Sequence, residues 1–253
     1  MTKKSLNRDN EASSSKLRTS KPGQARKDEL EPALSPHTSS DNSPLVSAYA
    51  GEMNFMVPFL REGGAAAASY TNMDGDTLLH AAADGWQYQM VEFLILSGAN
   101  PNIQNKHGRT PLHMVVRSRE VPFDGTFLTD TSPFDARKAT FQMLLLHGAD
   151  PRIKNKQGAN PFHVASWEGD LQAIDAIVLT DLGLVDEVTT KGATALALAI
   201  LKEHFDCTKR LLDLGADAFR ELPTGSRPID LLYSIEMPEF QDLFNTISQR
   251  RES

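Results

Sequence analysis

Apolar residues along the chain fall into pairs of short helical stretches that end at a glycine. In the clearest pair, Leu79, Ala82 and Ala83 share one narrow helical face, and a second apolar stripe follows over residues 91–95. The sequence Gly-Ala-Asn at 98–100 then ends the second stretch, as glycine commonly does after a helix. The pattern predicts a helix–turn–helix unit whose small alanines allow its first helix to approach a neighbour closely.

The opening of this unit returns at nearly regular intervals. The first copy, Asp-Gly-Asp-Thr-Leu-Leu-His at 74–80, recurs 33 residues later as His-Gly-Arg-Thr-Pro-Leu-His at 107–113. A fixed period of this size indicates stacked units, each too small to bury its own apolar face, so that neighbours must share one continuous core. Further copies, two of them weaker, stand at 157–163, 191–197 and 224–230.

Each strong copy carries residues suited to a tight turn that leads into a helix. The glycine permits positive φ, the threonine can cap the helix through its hydroxyl, and the histidine lies just inside the helix. Histidines that recur once per stacked unit lie about 10 Å apart, too far for one metal held at about 2 Å, so we interpret them as structural. The turn residues predicted in this way are Gly75, Thr77, His80, Gly108, Thr110, His113, Gly158, His163, Gly192 and Thr194.

The opening Gly-Arg-Thr-Pro-Leu-His at 108–113 and the closing Leu-Leu-Leu-His-Gly-Ala-Asp at 144–150 resemble the ankyrin-repeat family. The resemblance covers about residues 44–247. It implies an all-α solenoid of about five to six helix–turn–helix units with short β-turn tips, in which the histidine hydrogen-bonds locally. Some copies depart from the family pattern, at Leu78, Ala197, Arg227 and Asp230.

The composition changes sharply near residue 43. Residues 1–42 contain no aromatic residue and are rich in Ser, Lys, Asn and Pro, which predicts a disordered N-terminal tail. We interpret the two Ser-Pro pairs at 35–36 and 43–44 as turns rather than phosphorylation sites. The predicted division is a tail at 1–42, capping helices at 43–70, repeats at 71–220 (71–103, 104–153, 154–187 and 188–220), a degenerate C-terminal capping repeat at 221–247 and a disordered C-terminus at 248–253.

One interval breaks the period. The second and third openings are 50 residues apart, and the surplus is an insertion at 119–131 followed by a helix that we expect to begin near Pro133. The insertion contains Phe123 and Phe127, which a fully solvated loop would not need. These side chains either fold back on neighbouring helices, the interpretation we favour, or are presented to a partner.

Charge and cysteine content narrow the classes of function. Residues 1–42 contain eight Lys or Arg and six Asp or Glu, which leaves 18 basic and 27 acidic residues, a net charge of −9, in the rest of the chain. This balance argues against general nucleic-acid binding. A single cysteine, Cys207, fits a reducing compartment, and no apolar run is long enough to span a membrane. We expect a cytoplasmic protein, with nuclear import through the short basic runs left open.

No phosphate-binding loop, nucleophile elbow or acid–base pair appears, so we expect no enzyme, cofactor or metal site. Carrying the family's concave binding groove over by position predicts a surface for another protein. Its tips are basic from the second repeat onward, which suggests an acidic segment in the partner. Trp167 is its best single anchor, or else an aromatic residue that covers the core. The predicted set is Asp74, Asp76, Asp84, Lys106, His107, Arg109, Arg117, Lys156, Gln157, Trp167, Glu168, Lys191 and Lys202.

The sequence therefore predicts a non-catalytic protein-recognition module that acts as an adaptor, scaffold or inhibitor. One alternative is an inhibitor similar to the IκB class, although the tail lacks that class's Asp-Ser-Gly-x-x-Ser motif. A second alternative is an enzyme-regulatory or targeting subunit controlled through its tail.

Overall fold

The computed structural model describes residues 43–116 and 133–252. Within these residues the chain is helical and contains no strand, with two isolated bridges, Thr71 with Thr77 and Val188 with Thr194, at the bases of turns. The helices are α1 (Pro44–Ala50), α2 (Met53–Ala68), α3 (Leu78–Asp84), α4 (Tyr88–Leu96), α5 (Pro111–Val115), α6 (Pro133–Leu146), α7 (Pro161–Glu168), α8 (Leu171–Val178), α9 (Ala195–Leu201), α10 (Phe205–Asp213), α11 (Pro228–Ser234) and α12 (Pro238–Glu252).

The helices form two layers. The first helices α1, α3, α5, α7, α9 and α11 pack side by side in that order, and α4, α6, α8, α10 and α12 form the second layer. One continuous cluster of buried apolar residues runs between the layers from Ala48 to Phe240. Each unit therefore completes its core with side chains of its neighbours, as the period predicts.

The helix starts follow from the turn chemistry in the sequence. Thr77 and Thr194 accept hydrogen bonds from the backbone nitrogens of His80 and Ala197, at 3.4 and 3.2 Å. Asn160 does the same for His163 at 3.0 Å, although it stands where other copies have threonine. These caps satisfy backbone donors that the first helical turn leaves unpaired.

The degenerate last copy caps its first helix with an ion pair. The backbone nitrogen of Arg227 donates to Asp230 Oδ2 at 2.9 Å, and its guanidinium donates to Oδ1 at 2.7 Å. The substitutions at the threonine and histidine positions thus replace one capping device with another.

The C-terminal boundary differs from the sequence prediction. Residues 248–252 are helical rather than a disordered end, because α12 begins at Pro238 and continues to Glu252, and Ser253 lies outside the described residues. Proline suits the first position of a helix, and Phe240, Leu243 and Phe244 then turn towards the core. The predicted tail at 1–42 and the insertion at 119–131 lie outside the described residues.

Among the described residues, two that are not glycine adopt positive φ, both in the loop that joins the two helices of a unit. Trp86 and Glu203 have φ of 56° and 57°, and the equivalent loop position in two other units is glycine, Gly51 and Gly169, with φ of 74° and 76°. Left-handed backbone is costly for a residue with a Cβ. The backbone at Glu203 is therefore strained in a conformation that glycine would adopt at lower cost.

We expect Glu203→Gly to raise the free energy of unfolding by about 0.5–1 kcal/mol, because relief of left-handed strain outweighs the added entropy of glycine in the unfolded chain. Urea denaturation of the two proteins measures the difference. Gly169→Ala is the matched control and should be destabilising, since its Cβ would lie 2.7 Å from His204 Nδ1. A less stable Glu203→Gly protein would contradict this reading of the loop.

Candidate protein-binding surface

The turns between units are tied together by a ladder of backbone hydrogen bonds. The nitrogens of Lys106, Lys156 and Thr190 donate to the carbonyls of the preceding turns, on Asp74, His107 and Gln157, at 2.8, 3.0 and 3.1 Å. The ladder fixes each tip relative to the next. At the following turn this position is Pro223, which has no donor.

Asparagine side chains hold the turns internally, a feature that the sequence reasoning missed. Asn105 Oδ1 accepts from the backbone nitrogens of His107 and Arg109, both at 2.9 Å. Asn72 and Asn155 make the equivalent pair of bonds in their own turns. The signal was present, because an asparagine stands three residues before the glycine in three successive copies.

The histidines join consecutive units. Nε2 of His80 donates to the carbonyl of Arg109 at 2.9 Å, and Nε2 of His113 donates to the carbonyl of Ala159 at 3.1 Å. Nε2 of His163 reaches the carbonyl of Glu187 at 3.0 Å. Burial lowers the pKa of all three, to about 4 for His113 and His163. The rings are therefore neutral and carry structural hydrogen bonds.

Metal binding has no other candidate in the described part of the chain, where no three His, Cys, Asp or Glu side chains could hold an ion together. The thiol of Cys207 is buried, and burial raises its pKa to about 11. It is therefore protonated and poorly nucleophilic at neutral pH.

Several predicted tip residues lie on the surface. Lys106, Lys156, Gln157 and Lys191 are exposed. Over residues 43–116 and 133–252, no carboxylate lies within ion-pairing distance of the three lysines. The first tip is different, because Asp74 Oδ1 lies 3.7 Å from His107 Nε2. The structure thus places three uncompensated cations on successive tips, with Arg109 half-buried beside them.

Two predicted surface residues are instead buried. Asp76 is 6% exposed, and its carboxylate accepts from Asn105 Nδ2 at 2.6 Å and from Asn72 Nδ2 at 3.1 Å. Asp84 is 5% exposed at the end of α3. Both are removed from the binding set, since a buried carboxylate cannot contact a partner. Arg117, Phe123 and Phe127 lie outside the described residues.

Trp167 and Glu168 end α7, and both are half-buried. Lys202, exposed at the end of α9, places its Nζ 4.1 Å from the centroid of the Trp167 ring. His204 Nε2 donates to the carbonyl of Trp167 at 3.0 Å, which fixes the backbone there. The indole thus lies against the next unit and also reaches the surface.

Arg137 connects three units and had no signal in the repeat pattern. Its Nε donates to the carbonyl of Val115 at 3.2 Å, and its guanidinium pairs with Asp170. The same group lies 5.7 Å from the centroid of the Trp86 ring. These contacts connect the second repeat, which contains the insertion, to the repeats on either side of it.

Sequence models of known families match most of the repeat region. The model described as ankyrin repeats, in three copies, matches residues 134–221, and a single ankyrin-repeat model matches residues 74–106. The chain belongs to the ankyrin-repeat family. Ankyrin repeats indicate a protein-interaction module, and the paired helix layers and hydrogen-bonded tips described above agree with that assignment.

Curated ankyrin relatives are similar over short segments. The chain is 41% identical over 69 residues to RelA-associated inhibitor from Mus musculus, a match covering 27% of this chain and 8% of that protein. It is 37% identical over 60 residues to the nuclear factor NF-kappa-B p110 subunit from Drosophila melanogaster, covering 24% of this chain and 6% of that protein. The matches thus span less than a tenth of the length of either relative.

A solved structure confirms the fold over a longer range. A chain in the complex of the predatory endopeptidase Bd0816 from Bdellovibrio bacteriovorus with immunity protein Bd3460 matches with a TM-score of 0.60 and 19% sequence identity. The match covers 76% of this ankyrin chain and 91% of the other chain. In the part of the chain that the structure describes, no helix is both long and apolar enough to cross a bilayer.

Proposed function

We propose that this ankyrin stack is a non-catalytic recognition module, an adaptor, scaffold or inhibitor, that binds an acidic segment of a partner protein along its tips. The observation that supports this most is the row of Lys106, Lys156 and Lys191, exposed on successive tips and without an ion-pairing carboxylate among the described residues. A side-chain row fixed by a backbone ladder is preorganised for an extended partner.

The surrounding charge makes this row selective. The chain outside residues 1–42 has a net charge of −9, so its overall field repels acidic proteins while the tips attract an acidic segment locally. Each exposed pair contributes only about 0.2–1 kcal/mol, and complementary charge acts more on orientation and association rate than on affinity. A row of cations therefore selects the partner, and an apolar anchor must supply much of the binding energy.

Trp167, at the C-terminal end of α7, is the proposed anchor, so the partner must extend from the tips along the first helices to reach it. Its indole is half-buried, and Lys202 adds a cation beside it. A partly covered tryptophan can bury its remaining surface against a partner at little entropic cost, because its ring is already held in place. Glu168, His107 and Gln157 complete the proposed surface as polar contacts.

Reversing the charge of the tips is expected to reduce partner capture strongly. We expect Lys106→Glu/Lys156→Glu/Lys191→Glu protein to recover its partners from extracts of the source cells at least about tenfold less efficiently, because like charges then face the acidic segment. Quantitative mass spectrometry of the captured proteins measures the ratio. Trp167→Ala protein should lose the same set of proteins.

The matched control reverses cations on the second helices. Lys138 and Lys209 are exposed on α6 and α10, so Lys138→Glu/Lys209→Glu protein adds negative charge away from the tips. It should capture the same partners as the unsubstituted protein. Equal loss with both variants would mean that net charge, not the tip row, governs capture.

A second candidate function is inhibition of a nuclear factor by an IκB-like mode, favoured by the two relatives named for RelA and NF-kappa-B. Purified RelA offered to the chain separates the candidates, because the second requires direct binding at micromolar concentration or below. Either role places the protein in the cytoplasm or nucleus. Comparing localisation with and without residues 1–42 tests a targeting or regulatory role for that segment.

A further inference from the structure

An open cleft of about 600 Å³ lies between the ends of α9 and α11. It is at the C-terminal ends of the first helices, whereas the tips precede their N-terminal ends, so it is separate from the lysine row. Its lining combines aliphatic side chains with two carboxylates: Ile200, Leu201, Glu203, Ile235, Glu236 and Met237.

The apolar part of this cleft is open to solvent. The side chains of Leu201 and Met237 are 57% and 37% exposed. In the preceding unit the equivalent of Leu201 is Trp167, which Lys202 covers. In the last unit the residue equivalent to Lys202 is Ile235, where the backbone leaves the helix with ψ of 121°. The chain therefore turns into α12 without covering Leu201.

The acidic part of the cleft comes from one position of the repeat. Glu203 and Glu236 are 33 residues apart and occupy the loop position that Gly169 occupies one unit earlier. Both are exposed, and neither has an ion-pairing cation within the described ranges. The backbone at Glu203 has a φ of 57°, in the left-handed region. Residues held in such backbone conformations are concentrated at ligand-binding positions.

We propose that this cleft binds a second protein segment, one in which an aliphatic side chain is flanked by arginine or lysine. The aliphatic group would cover Leu201 and Met237, and the flanking cations would pair with Glu203 and Glu236. The ammonium of Lys202 does not oppose these cations, because it lies over the Trp167 ring and is absent from the lining. The ankyrin stack thus presents two surfaces of opposite charge preference.

Methyl NMR of the full chain labelled at methionine tests this directly. The probes are the peptides N-acetyl-Arg-Leu-Arg-amide, N-acetyl-Gln-Leu-Gln-amide and N-acetyl-Glu-Leu-Glu-amide. The basic peptide is expected to shift the Met237 methyl signal saturably, while the other methionines among the eight in the chain serve as internal references. The neutral peptide should bind more weakly, and the acidic peptide should leave Met237 unmoved.

Two double variants test whether Glu203 and Glu236 provide the preference for the basic peptide. Glu203→Gln/Glu236→Gln should weaken the basic peptide by about two- to thirtyfold, the range for two exposed ion pairs, and should remove its advantage over the neutral peptide. Asp213→Asn/Glu221→Gln removes the same charge from exposed positions outside the cleft and should not change binding. An unmoved Met237, or equal shifts with all three peptides, would overturn the proposal. The tip variant should bind the basic peptide normally, so this result is independent of the proposed function.

Discussion

Acidification from pH 6.5 to pH 4 is expected to remove several kcal/mol from the free energy of unfolding of the ankyrin stack. The cause is the set of buried histidines that join consecutive units. Burial holds the pKa of His113 and of His163 at about 4, against an ordinary value of 6.5, and lowers the pKa of His80 in the same direction. Each neutral ring is therefore favoured by the folded chain.

The sign follows from proton binding. Between pH 6.5 and about 4 the unfolded chain protonates His113 and His163 while the folded chain does not, so the unfolded state binds more protons and stability falls as the pH falls. The contribution is fully present above pH 6.5 and is lost on passing through pH 4. For His113 and His163, a separation of this size corresponds to on the order of 3 kcal/mol each.

Urea denaturation at a series of pH values measures this dependence. The control is His113→Gln/His163→Gln, which is less stable at neutral pH but has no titrating ring at these positions. Its stability should change less steeply than that of the unsubstituted protein between pH 6.5 and 4, and the difference isolates the two histidines from carboxylates that titrate nearby. Equal slopes for the two proteins would contradict the assignment of neutral, buried rings.

Gly158→Ala is expected to lower the free energy of unfolding by about 3 kcal/mol. Gly158 has a φ of 70°, and an added Cβ would lie 2.5 Å from the backbone nitrogen of Thr190. That nitrogen donates to the carbonyl of Gln157 in the tip ladder. The methyl group therefore adds left-handed strain and also pushes apart two units that the ladder holds together.

Gly225→Ala separates these two contributions. Gly225 has a φ of 77°, but an added Cβ would have no neighbour within 4 Å. Its cost should be the backbone strain alone, about 1 kcal/mol. Denaturant titration of both variants gives the difference. Similar losses for the two proteins would show that contact between neighbouring tips contributes little to stability.

The sequence was sufficient for features that each unit carries within itself. Gly158, Thr77 and Pro111 are defined by the turn they form, and their roles follow from local stereochemistry at a known spacing. The prediction that the histidines are structural was possible for the same reason. Their acceptors were not predictable: His113 donates to Ala159, which lies 46 residues further along the chain.

For the predicted surface residues, too, contacts between units could not be predicted from the sequence. A family position described as outward-facing does not reveal that Asn105 of the next unit encloses Asp76. Arg137 and the cleft beside Glu203 likewise depend on how one unit meets another. Periodicity gives the position of a residue within its unit, whereas burial at the boundary depends on side chains that differ between copies.

The proposed recognition of an acidic segment by the tips is tested most directly by the dissociation constant for one captured partner, measured over a range of salt concentrations. The unsubstituted protein should bind more weakly as salt rises, and Lys106→Glu/Lys156→Glu/Lys191→Glu protein should bind weakly at every concentration with little salt dependence. The Lys138→Glu/Lys209→Glu control should follow the unsubstituted protein. An affinity that is independent of salt and unchanged by the tip substitutions would contradict the account.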